Sequence, residues 1–393
     1  MAIPRPRPTT GDPKVDTVLE ELLTAHGNND NDDLIRSLLI TALEMDKANI
    51  GRLELKIASQ TMVEMLNAWE VFAPWADAAK VTIFGSARLP PGHPDYELAV
   101  DLGRRMAARN WMAITGAGPG IMTAGMEGIG VERAFGVNIQ LPFEQQAAAI
   151  IADDAKLATF KYFFTRKLTF MKETDAFAVF PGGYGTLDEA FELLTLVQTG
   201  KSYPVPIVLI DHPGSTYWRR WRAFIEAELL AAGMINPADL DLFLHTHSAE
   251  EAAEYLCAFY SCYHSLRFVG RRLILRLRSA LSDDALDELN REFADLVVSG
   301  GIERAEATAA EQRDGDNVDL PRLALRFNDR SFGRLVQLIH RINAVGGRAG
   351  AGAARGLLHD VAPDVPTGPS PVGPGDVSGR AGEPPSPPPG APG

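Results

Sequence analysis

"AFAVFPGGYGTLDE", residues 176–189, runs from a continuous apolar stretch through a proline and three glycines into a helical start. That order reads as strand, tight turn and helix. Pro181 stops the strand, and Gly182, Gly183 and Gly185 withdraw side chains where the backbone turns. The first amides of a helix have no intrahelical partner, so such a turn presents N–H groups suited to an anion, above all a phosphate. Thr186 adds a hydroxyl donor. The loop lacks the lysine of G-x-x-x-x-G-K-[ST], which favours a monophosphate-sized group over ATP or GTP. Thr186-x-x-Glu189 also has the spacing of a capping box, in which the threonine bonds the glutamate amide and the glutamate reaches back. That box does not explain the glycines ahead of it, and the helix start is expected to keep Glu189 ionised.

Upstream and downstream, other short apolar runs repeat the strand signal. "KVTIFG" (80–85), "WMAIT" (111–115), "FGVNI" (135–139) and "VPIVLI" (205–210) are continuous, as strands covered on both faces should be. Helical patterns lie between most of them, so the fold class is α/β, a doubly wound, Rossmann-like and mainly parallel sheet. A second glycine loop, "TGAGPGIMTAG" (115–125), places Gly118 and Gly120 between a strand and a helix. It is out of register with the dinucleotide fingerprint, and no acid sits clearly where a ribose needs one. A third small-residue turn, "FGSAR" (84–88), carries Gly85 and Ser86. Three such turns at the carboxyl ends of three strands point to one crevice.

Around this core the texture changes. Residues 1–13 are proline-broken and read as disordered; 14–77 form a helical N-terminal extension, with Leu34, Leu38, Leu39, Ala42, Met45 and Ile50 at helical spacing. The core spans 78–265 and includes helical stretches at 216–232 and 248–265. Residues 266–345 read as a small α+β appendage, and 346–393 as a disordered Pro/Gly-rich tail. The formal net charge of −13 over 393 residues argues against a nucleic-acid or anionic-membrane binder, although a local pocket can still hold a small anion. Two cysteines, no signal-peptide pattern and no apolar run near 18 residues suggest a cytoplasmic protein without disulfides.

One helix before the PGGYG turn lies "FKYFFTRKLTFMKETDAF" (160–177), with Arg166 and Lys167 among aromatics. Phe160, Phe163, Phe164 and Phe170 are expected to bury much of this helix and so to position its cations. "RK" at 166–167 followed by "PGGYGTLDE" at 181–189 resembles the LOG ("Lonely guy") family, cytokinin-activating nucleoside 5′-monophosphate phosphoribohydrolases often labelled lysine decarboxylases. Further similar stretches are "VTIFGSAR" (81–88), "TGAGPGIM" (115–122), "VNIQLPFEQ" (137–145), "FKYFFTRK" (160–167) and "LLTLVQTGK" (193–201). The resemblance covers about residues 78–260 and is nearest to the long bacterial branch described as AMP nucleosidases. Departures that bear on base preference are Ala117 for a frequent glycine, Thr123 for a frequent acid, and "QAAAIIADD" (146–154).

The resemblance implies that Arg166 and Glu189 are the catalytic pair. Glu189 would stabilise an oxocarbenium-like state and activate water, while Arg166, always charged, would position substrate or stabilise the departing base. Gly85, Ser86, Gly118, Gly120, Lys167, Gly182, Gly183, Gly185 and Thr186 are the expected substrate-binding residues. The implied activity is hydrolysis of a purine nucleoside 5′-monophosphate to free base and ribose 5-phosphate, with no cofactor. A non-catalytic nucleotide sensor or cofactor carrier using the same crevice is the alternative. The expected partner is a small nucleoside monophosphate, with no nucleic acid or membrane, and the expected state is a homodimer.

Remaining candidates are weaker. His245-x-His247 beside Asp239 and Asp241 raises a metal, but "PADLDLFLHTHSAEEA" reads more simply as a helix-to-helix loop with an N-cap at Ser248, so no metal is expected. Cys257 and Cys262, five apart in a helical aromatic stretch, read as core thiols. No lysine stands in a context that argues for a pyridoxal Schiff base.

Overall fold

The computed structural model describes residues 7–27, 31–140 and 148–346. The expectations for residues 1–6 and 347–393, and the family-like stretch at 141–145 with the start of "QAAAIIADD", lie outside the described residues.

Three helices come first: α1 (Pro13–His26), α2 (Asp32–Lys47) and α3 (Arg52–Phe72). Asp12 caps α1 by accepting from the Lys14 amide, with Pro13 in the first turn, where a missing N–H costs nothing. Asn49 takes a positive φ of 51° between α2 and α3, which breaks the helical extension there. The core then alternates β1 (Lys80–Phe84), α4 (Pro94–Ala108), β2 (Met112–Thr115), α5 (Ile121–Ile129), β3 (Ala134–Ile139), β4 (Leu157–Phe160), α6 (Phe163–Glu173), β5 (Ala176–Val179), α7 (Tyr184–Gln198), β6 (Ile207–Ile210), α8 (Tyr217–Phe224), β7 (Leu244–Thr246) and α9 (Ala249–Ala258).

The seven core strands pair in the order β4-β3-β2-β1-β5-β6-β7, all in parallel. Every residue of β1, β2, β5 and β6 is buried, which is what continuous apolar runs mean in a sheet covered on both faces. From β1 the chain winds outward to β4, returns to β5 on the other side of β1, and winds outward again. Right-handed crossovers therefore place α4 and α5 on one face and α6 and α7 on the other. The reversal lies between β1 and β5, and ligands of open α/β sheets bind outside the carboxyl ends of the strands there.

Two edge strands escape the sequence reading. β4 alternates buried and exposed residues over only four positions, and β7 has three residues within the stretch read as a loop. The helix expected over 160–177 is accordingly shorter: Phe160 ends β4 and α6 begins at Phe163. Phe160 and Phe170 are buried as expected, whereas Phe163 and Phe164 are exposed, being at the start of α6 on the face away from the sheet. The helix expected over 248–265 stops at Ala258, and the chain turns into β8 (Tyr263–Val269).

β8 pairs with β9 (Arg272–Leu277), and the four-stranded antiparallel sheet β10-β11-β9-β8 adds β10 (Glu303–Ala305) and β11 (Arg322–Leu325). Helices α10 (Asp283–Glu292), α11 (Ala309–Asp314) and α12 (Phe332–Val345) complete this unit. It leans on the core through α12: an added Cβ on Gly200, just past α7, would stand 2.0 Å from the Phe332 ring, and one on Gly333 would stand 2.4 Å from the Ala238 carbonyl. Cys262 is buried and Cys257 half-buried, both free; burial pushes the Cys257 thiol up to about 11, as suits a packed thiol and not a nucleophile. Among the described residues no helix is long and apolar enough to cross a membrane.

Candidate active site at the sheet switch point

The three small-residue turns meet. The Ser86 amide donates to the Pro181 carbonyl at 3.0 Å, tying the turn after β1 to the turn after β5. The Ser86 carbonyl in turn accepts from the Ile121 amide at 3.0 Å, which brings in the start of α5. Gly120 makes this approach possible. Its φ is +69°, and a Cβ there would lie 2.3 Å from the Ser86 carbonyl oxygen. Ala117, in the position of a frequent family glycine, also has a positive φ, 56°, and is fully buried.

At the PGGYG turn the glycines divide by what surrounds them. A Cβ on Gly182 would stand 2.1 Å from Thr186 Oγ1, so this glycine permits close packing. Gly183 and Gly185 have nothing within 4 Å of where a Cβ would be, so they face open space at the start of α7. Tyr217, the first residue of α8, donates its hydroxyl to the Gly182 carbonyl at 2.7 Å and steadies the turn.

α7 begins earlier than the sequence reading supposes. Gly183 is its N-cap and no side chain caps it. Thr186 therefore sits inside the first turn and Glu189 one turn further on, and the capping box expected of that pair does not form. The Leu187 amide instead bonds the Gly183 carbonyl at 3.1 Å. Released from that duty, Glu189 points into the protein: it is 6% exposed, and its Oε2 is buried without a hydrogen-bond partner.

Burial also decides its protonation. It pushes the Glu189 carboxyl up to about 7, against the downward pull of Lys167 and Arg166, while Glu192 and Asp188 add to the rise. The expectation that the helix start keeps Glu189 ionised is thus reversed, because desolvation of a buried carboxylate outweighs a helix terminus one turn away.

Arg166 projects from α6 toward the same place. Its Nε donates to the Val137 carbonyl at 2.8 Å and its Nη2 to the Gly116 carbonyl at 3.4 Å, and its guanidinium lies 5.2 Å from the Phe170 ring centre. Burial lowers its pKa, partly offset by Glu189. Lys167 also lies near Glu189 but pairs with its neighbours on α7. Its Nζ pairs with Asp188 at 2.9 Å and Glu192 at 2.6 Å, both on α7, so its charge is already matched and it ties α6 to α7.

One contributor comes from far upstream. Glu64 of α3 is buried and accepts from the Lys161 amide at 3.1 Å, the Tyr162 amide at 3.4 Å and Thr165 Oγ1 at 2.6 Å. Tyr162 provides no side-chain cap, and Glu64 instead anchors the two residues ahead of α6 and Thr165 in its first turn, fixing the entry of the helix that carries Arg166. Nothing local to α6 in the sequence signals this, since the partner lies 97–101 residues away.

The H-x-H motif belongs elsewhere. His245 is on β7 and not in a loop, and its carboxylate partner is Asp211, not Asp239 or Asp241. Asp239 instead accepts from Gln198 and from the Asn236 amide. Ser248 does cap α9, accepting from the Glu251 amide at 3.3 Å.

A family described as "Possible lysine decarboxylase" matches residues 116–256. The cytokinin riboside 5′-monophosphate phosphoribohydrolase LOG3 of Arabidopsis thaliana is 26% identical over 170 residues, 42% of this chain and 76% of that protein. The cytokinin riboside 5′-monophosphate phosphoribohydrolase of Mycobacterium tuberculosis (strain ATCC 25618 / H37Rv) is 29% identical over 165 residues, 41% of this chain and 86% of that one. Among solved structures, the molybdenum cofactor binding protein from Rippkaea orientalis matches with a TM-score of 0.32 at 17% identity, over 45% of this chain and 94% of that one. That last match says nothing about what this chain binds. Over residues 116–256 the chain is thus similar to the LOG phosphoribohydrolases, and the doubly wound core is the part that carries the similarity.

Proposed function

We propose that the chain hydrolyses the N-glycosidic bond of a purine nucleoside 5′-monophosphate, AMP or a cytokinin riboside 5′-monophosphate, to free base and ribose 5-phosphate. The observation that carries this reading is the buried, unpartnered Glu189 Oε2 opposite Arg166, at the crevice between β1 and β5. A carboxyl near neutrality in such a place is suited to acid–base work.

In this reading the open amides at the start of α7, beside Gly183, Gly185 and Thr186, hold the 5′-phosphate. Gly85, Ser86, Gly118 and Gly120 shape the rest of the crevice. Glu189 takes a proton from water as it attacks C1′ and stabilises the oxocarbenium-like state; the bond to the purine nitrogen breaks and its electrons leave with the base. The proton returns to the purine, so AMP and water become adenine and ribose 5-phosphate. Arg166, held by two carbonyls, stabilises charge on the departing base. Lys167 then acts on substrate only through α7.

The decarboxylase label is a poor fit to this chain. Lys80 is deeply buried with a pKa lowered by desolvation, as a Schiff-base lysine needs. It starts β1, however, at the opposite end of the sheet from the crevice, and its Nζ donates to the Ala78 carbonyl at 2.8 Å.

The segments 14–77, 78–265 and 266–345 are proposed as helical extension, catalytic core and appendage. A homodimer is proposed on the apolar surface of two packed helices: Met62, Leu66 and Trp69 on α3, and Phe163, Phe164 and Leu168 on α6, are all exposed. Incubation with a panel of nucleoside 5′-monophosphates, with products resolved by chromatography, tests the activity. Release of base with ribose 5-phosphate supports hydrolysis; tight binding without release supports the carrier or sensor alternative.

A further inference from the structure

At the carboxyl ends of β6 and β7 three metal-type donors come together. In their parallel register Leu209 faces His245 and Ile210 faces Thr246, so Asp211 comes beside His247. Alternation along a strand puts the side chains of 245 and 247 on one face. His245 Nε2 is 3.0 Å from Asp211 Oδ1, and His247 Nδ1 is 2.8 Å from the same oxygen. The three donor atoms lie within 4.8 Å of one another.

Two further facts separate this group from an ordinary hydrogen-bonded cluster. Asp211 is wholly buried; Ser215 and the Trp218 amide also lie against its carboxyl, but its Oδ2 makes no well-formed hydrogen bond. The His247 side chain is 45% exposed and that of His245 19%, so an ion has a path from solvent and room for water beside the protein donors.

We propose that Asp211, His245 and His247 form a binding site for a divalent transition-metal ion of the zinc class. Two imidazole nitrogens and one carboxylate oxygen suit zinc, cobalt or nickel, whereas calcium and magnesium favour all-oxygen sites. His245 would ligate through Nε2 and His247 through Nδ1, the nitrogens that face Asp211. The site uses neither Arg166 nor Glu189, and does not depend on the activity proposed above.

The test uses the full chain without a histidine tag, stripped with chelator and titrated with zinc chloride by calorimetry and with cobalt chloride by visible absorption. One equivalent is expected to bind, with His247→Ala and His245→Gln each weakening binding at least tenfold, about the loss seen when even outer-shell partners of a metal are removed. His26→Ala, at an exposed histidine on α1, is expected to bind like the wild type. His247 is half-exposed, so His247→Ala should keep the wild-type melting temperature and carries the test if His245→Gln does not fold. No binding to the folded wild type, or unchanged binding in folded His247→Ala, overturns the proposal.

Discussion

Arg166 and Glu189 attract each other across the switch-point crevice without closing an ion pair. Arg166 is instead anchored to the Val137 and Gly116 carbonyls, and Glu189 keeps one buried oxygen without a partner. A closed pair would quench both charges. Held apart, they set a cation opposite a carboxyl whose proton is loosely held, where the proposed reaction puts its substrate.

That arrangement sets a trade between stability and activity at Glu189. Its carboxyl rises from 4.5 to about 7 on folding, so the stability it contributes is full below about pH 4.5 and is lost as pH rises through about 7. Glu189→Gln removes the charge that must be buried at high pH. It should be more stable than wild type at pH 8, by up to about 3 kcal/mol, and little different at pH 4.5. Melting curves at the two pH values check this; a uniform loss at both would show that Glu189 is a structural cap after all.

The same carboxyl should govern turnover. As a base it must be ionised, so kcat/KM for AMP should fall on the acid side with an apparent pKa near 7, far above an ordinary glutamate. A pH–rate profile in constant ionic strength reads this directly, and a flat profile between pH 5 and 8 would remove Glu189 from the rate equation.

The glycines of the turn should separate packing from binding. Gly182→Ala drives a Cβ into Thr186 and should lower the melting temperature. Gly185→Ala meets open space and lies in a helix, where alanine is favoured by about 0.5–1 kcal/mol, so the fold should hold or gain slightly. Its cost should appear as a raised KM for AMP, because the added methyl stands where the phosphate is to sit. Equal KM values for Gly185→Ala and wild type would move the phosphate elsewhere.

Glu64 ought to behave as a positioning residue. Glu64→Ala leaves the Lys161 and Tyr162 amides ahead of α6 unsatisfied, while Thr165 Oγ1 keeps the Tyr162 carbonyl, a loss of about 1–3 kcal/mol. It should lower kcat more than it raises KM, since α6 carries Arg166 and not the phosphate amides. Glu64→Gln, which keeps one acceptor, should recover part of both; kinetics of the two variants beside their melting curves decide it.

Much of the core was legible because its physics is local. β1, β2, β5 and β6 are continuous apolar runs since both faces are covered, and the turns after them announce themselves by glycine. β4 and β7 were not, being edge strands of four and three residues that carry little periodic signal. At the site, the positions of Arg166 and Glu189 were readable, but the protonation of Glu189 was not. Pattern alone pairs Thr186 with Glu189 as a cap; only the helix start at Tyr184 turns Glu189 inward. Glu64, Tyr217 and Asp211 reach their partners across long sequence separations, which no local pattern records.

The central claim is that Glu189 and Arg166 cleave a nucleoside 5′-monophosphate held at the start of α7. The most direct measurement is adenine and ribose 5-phosphate released from AMP by wild type and by Glu189→Gln, with AMP affinity of both measured by calorimetry. The account predicts equimolar release by wild type, and by Glu189→Gln retained affinity with release lowered at least about a hundredfold, the scale of a lost general base. Release by Glu189→Gln at the wild-type rate, or none by wild type from any purine nucleoside 5′-monophosphate, would contradict it.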